Sequence, residues 1–177
     1  MHVDPAAAAL LWAALYAAHR LGDYWLQSDH QATTKHVHGS AGRWACFRHV
    51  ATLTLAQALA IGAVEVACGL DLPAAAEASA LGLNAATHYW ADRRRPLRGL
   101  VLATEPITRK LGFYENGGAA ELDQAWHVAW LLPVALIAAA PAPTALLLAA
   151  LGAALLAACA ALSGFGLLSE HTPDRDH

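Results

Sequence analysis

The sequence predicts an all-α integral membrane protein, a single domain built as a bundle of four to five transmembrane helices. Of the 177 residues, 57% are hydrophobic and 14% are charged, whereas roughly 25% of the residues of an average soluble protein are charged. Several apolar runs approach the roughly 20 residues that a helix needs to cross the hydrocarbon core of a membrane. Because many of these runs are rich in alanine, which is only weakly hydrophobic, an alanine-rich soluble bundle is the alternative fold.

Five segments carry this prediction, and three of them have a proline close to the first helical position, where proline is best tolerated. These prolines are Pro5, Pro73 and Pro143. Tight turns join the second segment to the third and the fourth segment to the fifth. The other two connections, residues 27–49 and 92–121, are long. The predicted spans are residues 5–26, 50–70, 73–91, 122–140 and 143–162.

The positions of lysine and arginine predict the orientation of the bundle. All eleven of these residues lie near the end of the first span, in or beside the two long connections, or in the C-terminal tail, which holds Arg175. Basic residues near spans stay on the cytoplasmic side. We therefore expect a multi-pass protein of the plasma (inner) membrane, in contact with lipid. Its N-terminus would lie outside, and its C-terminus and both long connections in the cytoplasm.

Charge and cysteine content exclude several other classes of function. The net charge is only −3, and the basic residues form no long run with interleaved aromatic residues, so a nucleic-acid partner is not expected. The three cysteines are far apart and form no CxxC pair, which indicates neither a disulfide framework nor a zinc finger. Small-residue faces such as 152–154 would allow a homo-oligomer.

Three pairs of histidine and aspartate are each spaced four residues apart, and residues with this spacing lie on one face of a helix. In the predicted topology, the pairs end the first and third spans and begin the fourth, all on the cytoplasmic side. A further histidine opens the second span at the same level. These residues are His19 and Asp23, His88 and Asp92, Asp123 and His127, and the single residue His49.

Ionisable groups close to lipid are costly and usually face a bundle interior. Four imidazoles and three carboxylates form a suitable ligand set for zinc, manganese or iron(II), and bridging carboxylates allow one or two ions. A bound metal would acidify water into a nucleophile. The predicted metal ligands are His19, Asp23, His49, His88, Asp92, Asp123 and His127, and the candidate catalytic carboxylates are Asp23, Asp92 and Asp123.

The leading functional hypothesis is metal-dependent hydrolysis of a phosphate ester or a lipid-linked substrate. Gln27 extends the polar face of the first span, while Lys35 and Arg95 carry positive charge in the two long connections. These three residues are the predicted substrate contacts. Two alternatives stay open: a proton or divalent-ion transporter or channel, and a non-catalytic scaffold with a structural polar network. The outer half of the bundle is nearly apolar apart from Glu65 and Glu77, which favours a one-sided site.

The same polar residues resemble a known family. The segment from His19 to Asp29, then Lys35, His49, residues 88–92 and residues 123–127, are similar to an uncharacterised family of bacterial and phage membrane proteins, domain of unknown function family 3307. This resemblance implies a multi-span helical membrane protein with these residues as its signature, and implies no activity. Arg95 stands where that family tends to carry lysine, which fits contact with an anion better than Schiff-base chemistry. A looser likeness, to bacterial membrane-bound metal-dependent hydrolases, is an analogy.

Overall fold

The computed structural model describes residues 2–170 and confirms the all-α prediction, since these residues form helices and turns and no strand. Two π-helical turns, Gly22–Leu26 and Tyr114–Gly118, interrupt the α-helices. The tail 171–177, with Arg175 and the predicted cytoplasmic C-terminus, lies outside the described residues. The helices are α1 (Pro5–Leu21), α2 (Asp29–Thr34), α3 (Ser40–Cys68), α4 (Ala74–Asp92), α5 (Arg95–Thr108), α6 (Leu111–Phe113), α7 (Ala119–Ala138) and α8 (Ala142–Glu170).

Local sequence determines both ends of α1. The Asp4 side chain accepts hydrogen bonds from the amides of Ala6 and Ala7 at 2.9 and 3.1 Å, which caps the first turn behind Pro5. At the other end the helix widens into the first π-turn, where the amide of Gln27 donates to the carbonyl of Gly22, five residues earlier, at 3.0 Å. This turn carries Asp23.

Helices α1, α3, α4 and α7 surround the core, and α8 packs against α4, α7 and α5. Small residues on α4 and α7 allow close helix packing, while larger residues fill the space between helices. The fully buried large residues of this core include Leu11, Leu15, Ile61, Leu131 and Val134. The bundle therefore brings the end of α1, the start of α3, the end of α4 and the start of α7 to one side.

Helices α3 and α8 are long and apolar enough to cross a membrane. Each has 29 residues, and their most apolar 18-residue windows have mean hydropathies of 1.7 and 2.5. Only 22% and 11% of these windows are buried inside the protein, whereas the core helix of a soluble protein is mostly buried. The other membrane spans of the predicted bundle, and its orientation, stay predictions.

Both long connections contain helices that the sequence did not indicate. Residues 27–49 hold α2 and the first turns of α3, which begins at Ser40 rather than near residue 50. A reciprocal capping box between Ser28 and Gln31 starts α2. Residues 92–121 hold α5, which lies along α8 and is joined to it where the Ser163 hydroxyl donates to the Pro96 carbonyl at 2.6 Å. Hydropathy overlooks such helices because their exposed faces are polar.

Candidate metal centre

The seven residues that the sequence predicts as metal ligands lie together at one end of the bundle. We call them the His/Asp cluster. Helix α1 and its π-turn supply one pair, α3 a single histidine, the last turns of α4 a second pair, and the first turns of α7 a third. Six of the seven side chains are at most 6% exposed, and the seventh, Asp123, is 23% exposed. The set is His19, Asp23, His49, His88, Asp92, Asp123 and His127.

Helical spacing accounts for the three local pairs. The Nε2 atom of each histidine lies close to a carboxylate oxygen four residues away, at 3.6 Å for His19 and Asp23 and at 3.4 Å for His88 and Asp92. The pair on α7 has the same geometry, with 3.5 Å between its two atoms. Each pair thus presents an imidazole nitrogen and a carboxylate oxygen to the bundle interior.

The most compact part of the cluster joins three helical segments. The Nε2 atoms of His49 and His88 are 3.2 Å apart. Each lies 3.3–3.4 Å from Oδ1 of Asp23 and 3.4 Å from Oδ2 of Asp92. Ligand atoms that share a tetrahedral metal at about 2.0–2.1 Å are about 3.3–3.4 Å from one another. Five of the six separations among these four ligand atoms are therefore close to the spacing of ligands around a zinc-like ion. Within the four, His49, His88 and Asp92 each offer one ligand atom, and these atoms all lie within 4.8 Å of one another.

The four nitrogen–oxygen contacts, at 3.3–3.4 Å, are long for hydrogen bonds, because an N–H donor normally lies about 2.7–3.2 Å from its oxygen acceptor. Oδ1 of Asp23 and Oδ2 of Asp92 are buried and have no hydrogen-bond partner among the described residues. Buried carboxylate oxygens are normally paired, since leaving them unpaired is costly. Both oxygens lie at ion-pair distance from the same two imidazoles, which could hold a metal together with them.

The imidazoles also pack against one another. The rings of His88 and His127 are stacked with their centroids 3.7 Å apart, and His19 lies 5.4 Å from His127 and 5.5 Å from His88. Two imidazolium ions at stacking distance would repel each other, whereas neutral imidazole is the form that binds metals. Neither ring nitrogen of the fully buried His19 has a hydrogen-bond partner within the described chain.

A cavity of about 520 Å³ opens beside the cluster. Three carboxylates reach it, together with two positively charged side chains, two tyrosines and two amides. A cavity of this size suits a small ligand. The polar lining residues are Asp23, Tyr24, Gln27, Lys35, Asp92, Arg94, Tyr114, Asp123 and Gln124.

No family model, curated protein or solved structure matches this chain. The resemblance given by its polar residues is thus neither supported nor opposed.

Two of the three predicted substrate contacts border the cavity. Gln27 lines it, and its buried Nε2 has no partner in the described part of the chain. Lys35 lines it as well, and its ammonium lies 2.6 Å from Oδ1 of Asp92. Arg95 borders a different cavity, between α5 and the end of α8.

The neighbouring arginines have different environments, which the sequence alone did not separate. Arg93 donates to the backbone carbonyls of Lys35 and Val37 and so holds the segment that follows α2. Arg94 lines the cavity, and its backbone has a positive φ of 56°. The side chain of a residue in such a turn cannot be assigned a direction from helical periodicity, so Arg94 was not singled out.

Gln124 is a further residue that the sequence reasoning missed. Its Nε2 donates to Oδ2 of Asp23 at 2.9 Å, and its Oε1 accepts from Arg20 at 3.4 Å. It therefore fixes the orientation of one carboxylate of the cluster. A signal was present, because Gln124 lies three residues before His127 and so shares its helix face.

Three other histidines of the first connection do not join the cluster, namely His30 in α2 and His36 and His38 in the segment after it. Burial lowers the pKa of His36, and the positive charges of Arg94, Arg93 and Lys35 lower it further. His36 is consequently expected to be neutral near pH 7.

Proposed function

We propose that the protein is a membrane-embedded metalloprotein that holds a divalent transition metal, with zinc favoured, between Asp23, His49, His88 and Asp92. The observation that carries this proposal is the set of five separations of 3.2–3.4 Å between their ligand atoms. Two buried carboxylate oxygens that have no hydrogen bond among the described residues support it. A purely structural network of hydrogen bonds fits less well, because the four nitrogen–oxygen distances of 3.3–3.4 Å exceed those of good hydrogen bonds.

The reaction class that fits this centre best is hydrolysis of a phosphate ester or a lipid-linked anion. A divalent ion held by these residues would lower the pKa of a bound water toward neutrality. Asp123 is partly exposed, lines the cavity and has an unpaired Oδ1, so it is suited to act as general base. Arg94 and Lys35 border the same cavity, where their charges would orient an anionic group.

The membrane setting of this proposal rests on the exposed apolar surface. Helix α8 carries large apolar side chains that are at least half exposed, namely Leu146, Leu147, Leu151, Leu155, Leu162, Phe165 and Leu168. A patch of this extent on a soluble monomer would be unusual. We infer that α1, α4 and α7 lie in the membrane beside α3 and α8, with the cluster on the cytoplasmic side.

A transporter is the main rival, and the packing of the outer half disfavours it. Gln57 and Asn84 extend the polar surface of α3 and α4 beyond the cluster. Beyond the cluster, however, Leu53 and Ile61 are fully buried on either side of Gln57 along α3. An ion that crossed the bundle would have to pass these apolar layers. A flux assay in liposomes distinguishes the two functions, because a one-sided hydrolase supports no flux.

Metal content tests the binding proposal directly. The protein would be purified in mild detergent without a histidine tag, and its metals measured by elemental mass spectrometry. We expect one equivalent in the wild type and in His30→Ala, a control at an exposed position of α2, and a loss in His49→Ala and His88→Ala. Circular dichroism would establish that the variants are folded. Folded wild-type protein that takes up neither zinc nor manganese would overturn the proposal.

Hydrolysis is tested separately, with a chromogenic phosphate ester and the metal-loaded protein. Removing a general base typically lowers the rate by about 10²–10⁴-fold, so Asp123→Asn should lower kcat by about that factor while the metal at His49 and His88 is retained. Thr108→Ala, at the exposed end of α5, serves as the control variant. Equal turnover by Asp123→Asn and the wild type would exclude this base, and the absence of turnover by the loaded wild type would exclude the reaction.

A further inference from the structure

The carboxylate of Asp92 faces two different environments. Its Oδ2 points to the Nε2 atoms of His49 and His88. Its Oδ1 lies 2.6 Å from the ammonium of Lys35 and 3.6 Å from Nε2 of His127. One carboxylate thus joins the compact four-residue group to a second set of polar atoms nearer the cavity.

This second set has the composition of a cation site. Asp92, Asp123 and His127 each offer one ligand atom, and these atoms lie within 4.8 Å of one another. His127 is only 3% exposed, and its Nε2 has no hydrogen-bond partner among the described residues. Oδ1 of Asp123 is likewise buried and unpaired. A buried imidazole nitrogen between two carboxylates is an arrangement that can bind a metal ion.

Lys35 supplies the positive charge at this position in the structure. The residue is 8% exposed and follows α2, where its carbonyl accepts a hydrogen bond from Arg93. Arg93 therefore holds the backbone of Lys35, while the ammonium of Lys35 contacts Asp92. Because Asp92 is buried, its negative charge needs a compensating cation, and the ammonium provides one.

We propose that Asp92, Asp123 and His127 form a second site for a divalent transition metal, and that the ammonium of Lys35 competes with the ion for Oδ1 of Asp92. The proposal rests on the proposed function only in that the two sites share Asp92. In the wild type, Lys35 acts as a built-in cation in place of the second ion. The protein then works with one metal beside an ammonium, although carboxylate-bridged pairs of metals are common in hydrolases.

The test is a count of bound zinc after equilibrium dialysis at a zinc concentration that saturates the wild type. We expect one equivalent for the wild type and two for Lys35→Met, with the second equivalent lost again in Lys35→Met/His127→Ala. Lys35→Arg keeps the positive charge and should bind one. Lys110→Met removes the other lysine of the chain, which lies in an exposed turn, and should also bind one.

Thermal unfolding gives a second readout. Lys35→Met leaves Asp92 without its cation, so its Tm without metal should fall below that of the wild type, and added zinc should raise it more than in the wild type. Two equivalents in the wild type, or one in folded Lys35→Met, would overturn the proposal. Wild-type protein without metal would instead refute the four-residue site. The second site would then be judged by whether Lys35→Met binds one equivalent that His127→Ala removes.

Discussion

Gln57 and Asn84 form a buried amide pair between α3 and α4. Asn84 donates from Nδ2 to Oε1 of Gln57 at 2.7 Å, and both residues are at most 3% exposed. The Nε2 of Gln57 has no partner within the described residues. In an apolar interior such a pair holds two helices in register, because each amide is satisfied mainly by the other.

Removing one member of this pair should be more harmful than removing both. Gln57→Leu leaves the Asn84 amide unsatisfied, which should lower the free energy of unfolding by about 1–3 kcal/mol. Gln57→Leu/Asn84→Leu should recover most of that loss, since no buried amide is left unpaired. Chemical unfolding in detergent measures both variants. A double variant less stable than either single variant would show that the pair stabilises the helices in another way.

The residues of the His/Asp cluster could be located from sequence, whereas several residues around the cavity could not. A spacing of four on a helix fixes the relative direction of two side chains, so His88 and Asp92 face the same way wherever the helix lies. Arg94 has a positive φ in the turn after α4, and Arg95 begins α5 directly after it. The direction of the chain at this turn depends on how α5 packs against α8. The sequence alone therefore does not predict which arginine reaches the cavity.

Helices α5 and α8 pack closely where both have glycine. A Cβ atom on Gly99 would overlap the carbonyl oxygen of Ser163, and one on Gly166 would overlap the carbonyl oxygen of Gly99. The backbones approach closely enough for the Ser163 hydroxyl to bond to α5. Arg98 adds a surface link, with its guanidinium 2.5 Å from Glu170, and that carboxylate raises the pKa of Arg98.

Gly99→Ala is therefore expected to separate α5 from α8. Overpacking of this kind typically costs about 1–3 kcal/mol, so the variant should unfold at lower denaturant concentration. Gly164→Ala is the matched control, because no described atom lies within 4 Å of its added Cβ. The control should be unchanged or more stable by up to about 1 kcal/mol, since alanine favours helix. Equal stability of the two variants would mean that the close contact contributes little.

The sequence predicts the long apolar helices α3 and α8, because composition alone indicates them. It does not predict where α3 begins, since this helix starts about three turns before its apolar run. Those turns carry exposed Trp44 and Phe47 and basic residues, which a helix can hold as it leaves the lipid. Hydropathy indicates where the apolar run begins, and the helix itself can begin earlier.

At the scale of the whole molecule, the two ends of the bundle differ. One end holds the His/Asp cluster, basic residues, and exposed aromatic side chains such as Trp25 and Trp44. The opposite end holds another cavity, of about 440 Å³, bordered by His2, Asp4 and the turn at 69–73. This difference is what orients a protein in a bilayer, through retained basic residues and interfacial aromatic rings.

Native cysteines allow the proposed orientation to be measured. Cys68 is exposed near the opposite end of the bundle, and Cys46 is buried. A membrane-impermeant maleimide should label Cys68 in intact spheroplasts, and Cys68→Ser should abolish that labelling. In the Cys68→Ser background, His38→Cys in the first long connection should react only after permeabilisation. Labelling of His38→Cys in intact cells would indicate the inverted orientation.

The proposed ligands also have a consequence for how the chain is held together. Asp23, His49, His88 and Asp92 come from three helical segments that are far apart in sequence. An ion bound to all four would be a reversible cross-link that closes the chain from Asp23 to Asp92, as a disulfide would. Such a closure restricts the unfolded chain more than the folded one. A chelator would then loosen α1, α3 and α4 together, while the α5–α8 contact, which supplies no ligand, would keep its own strength.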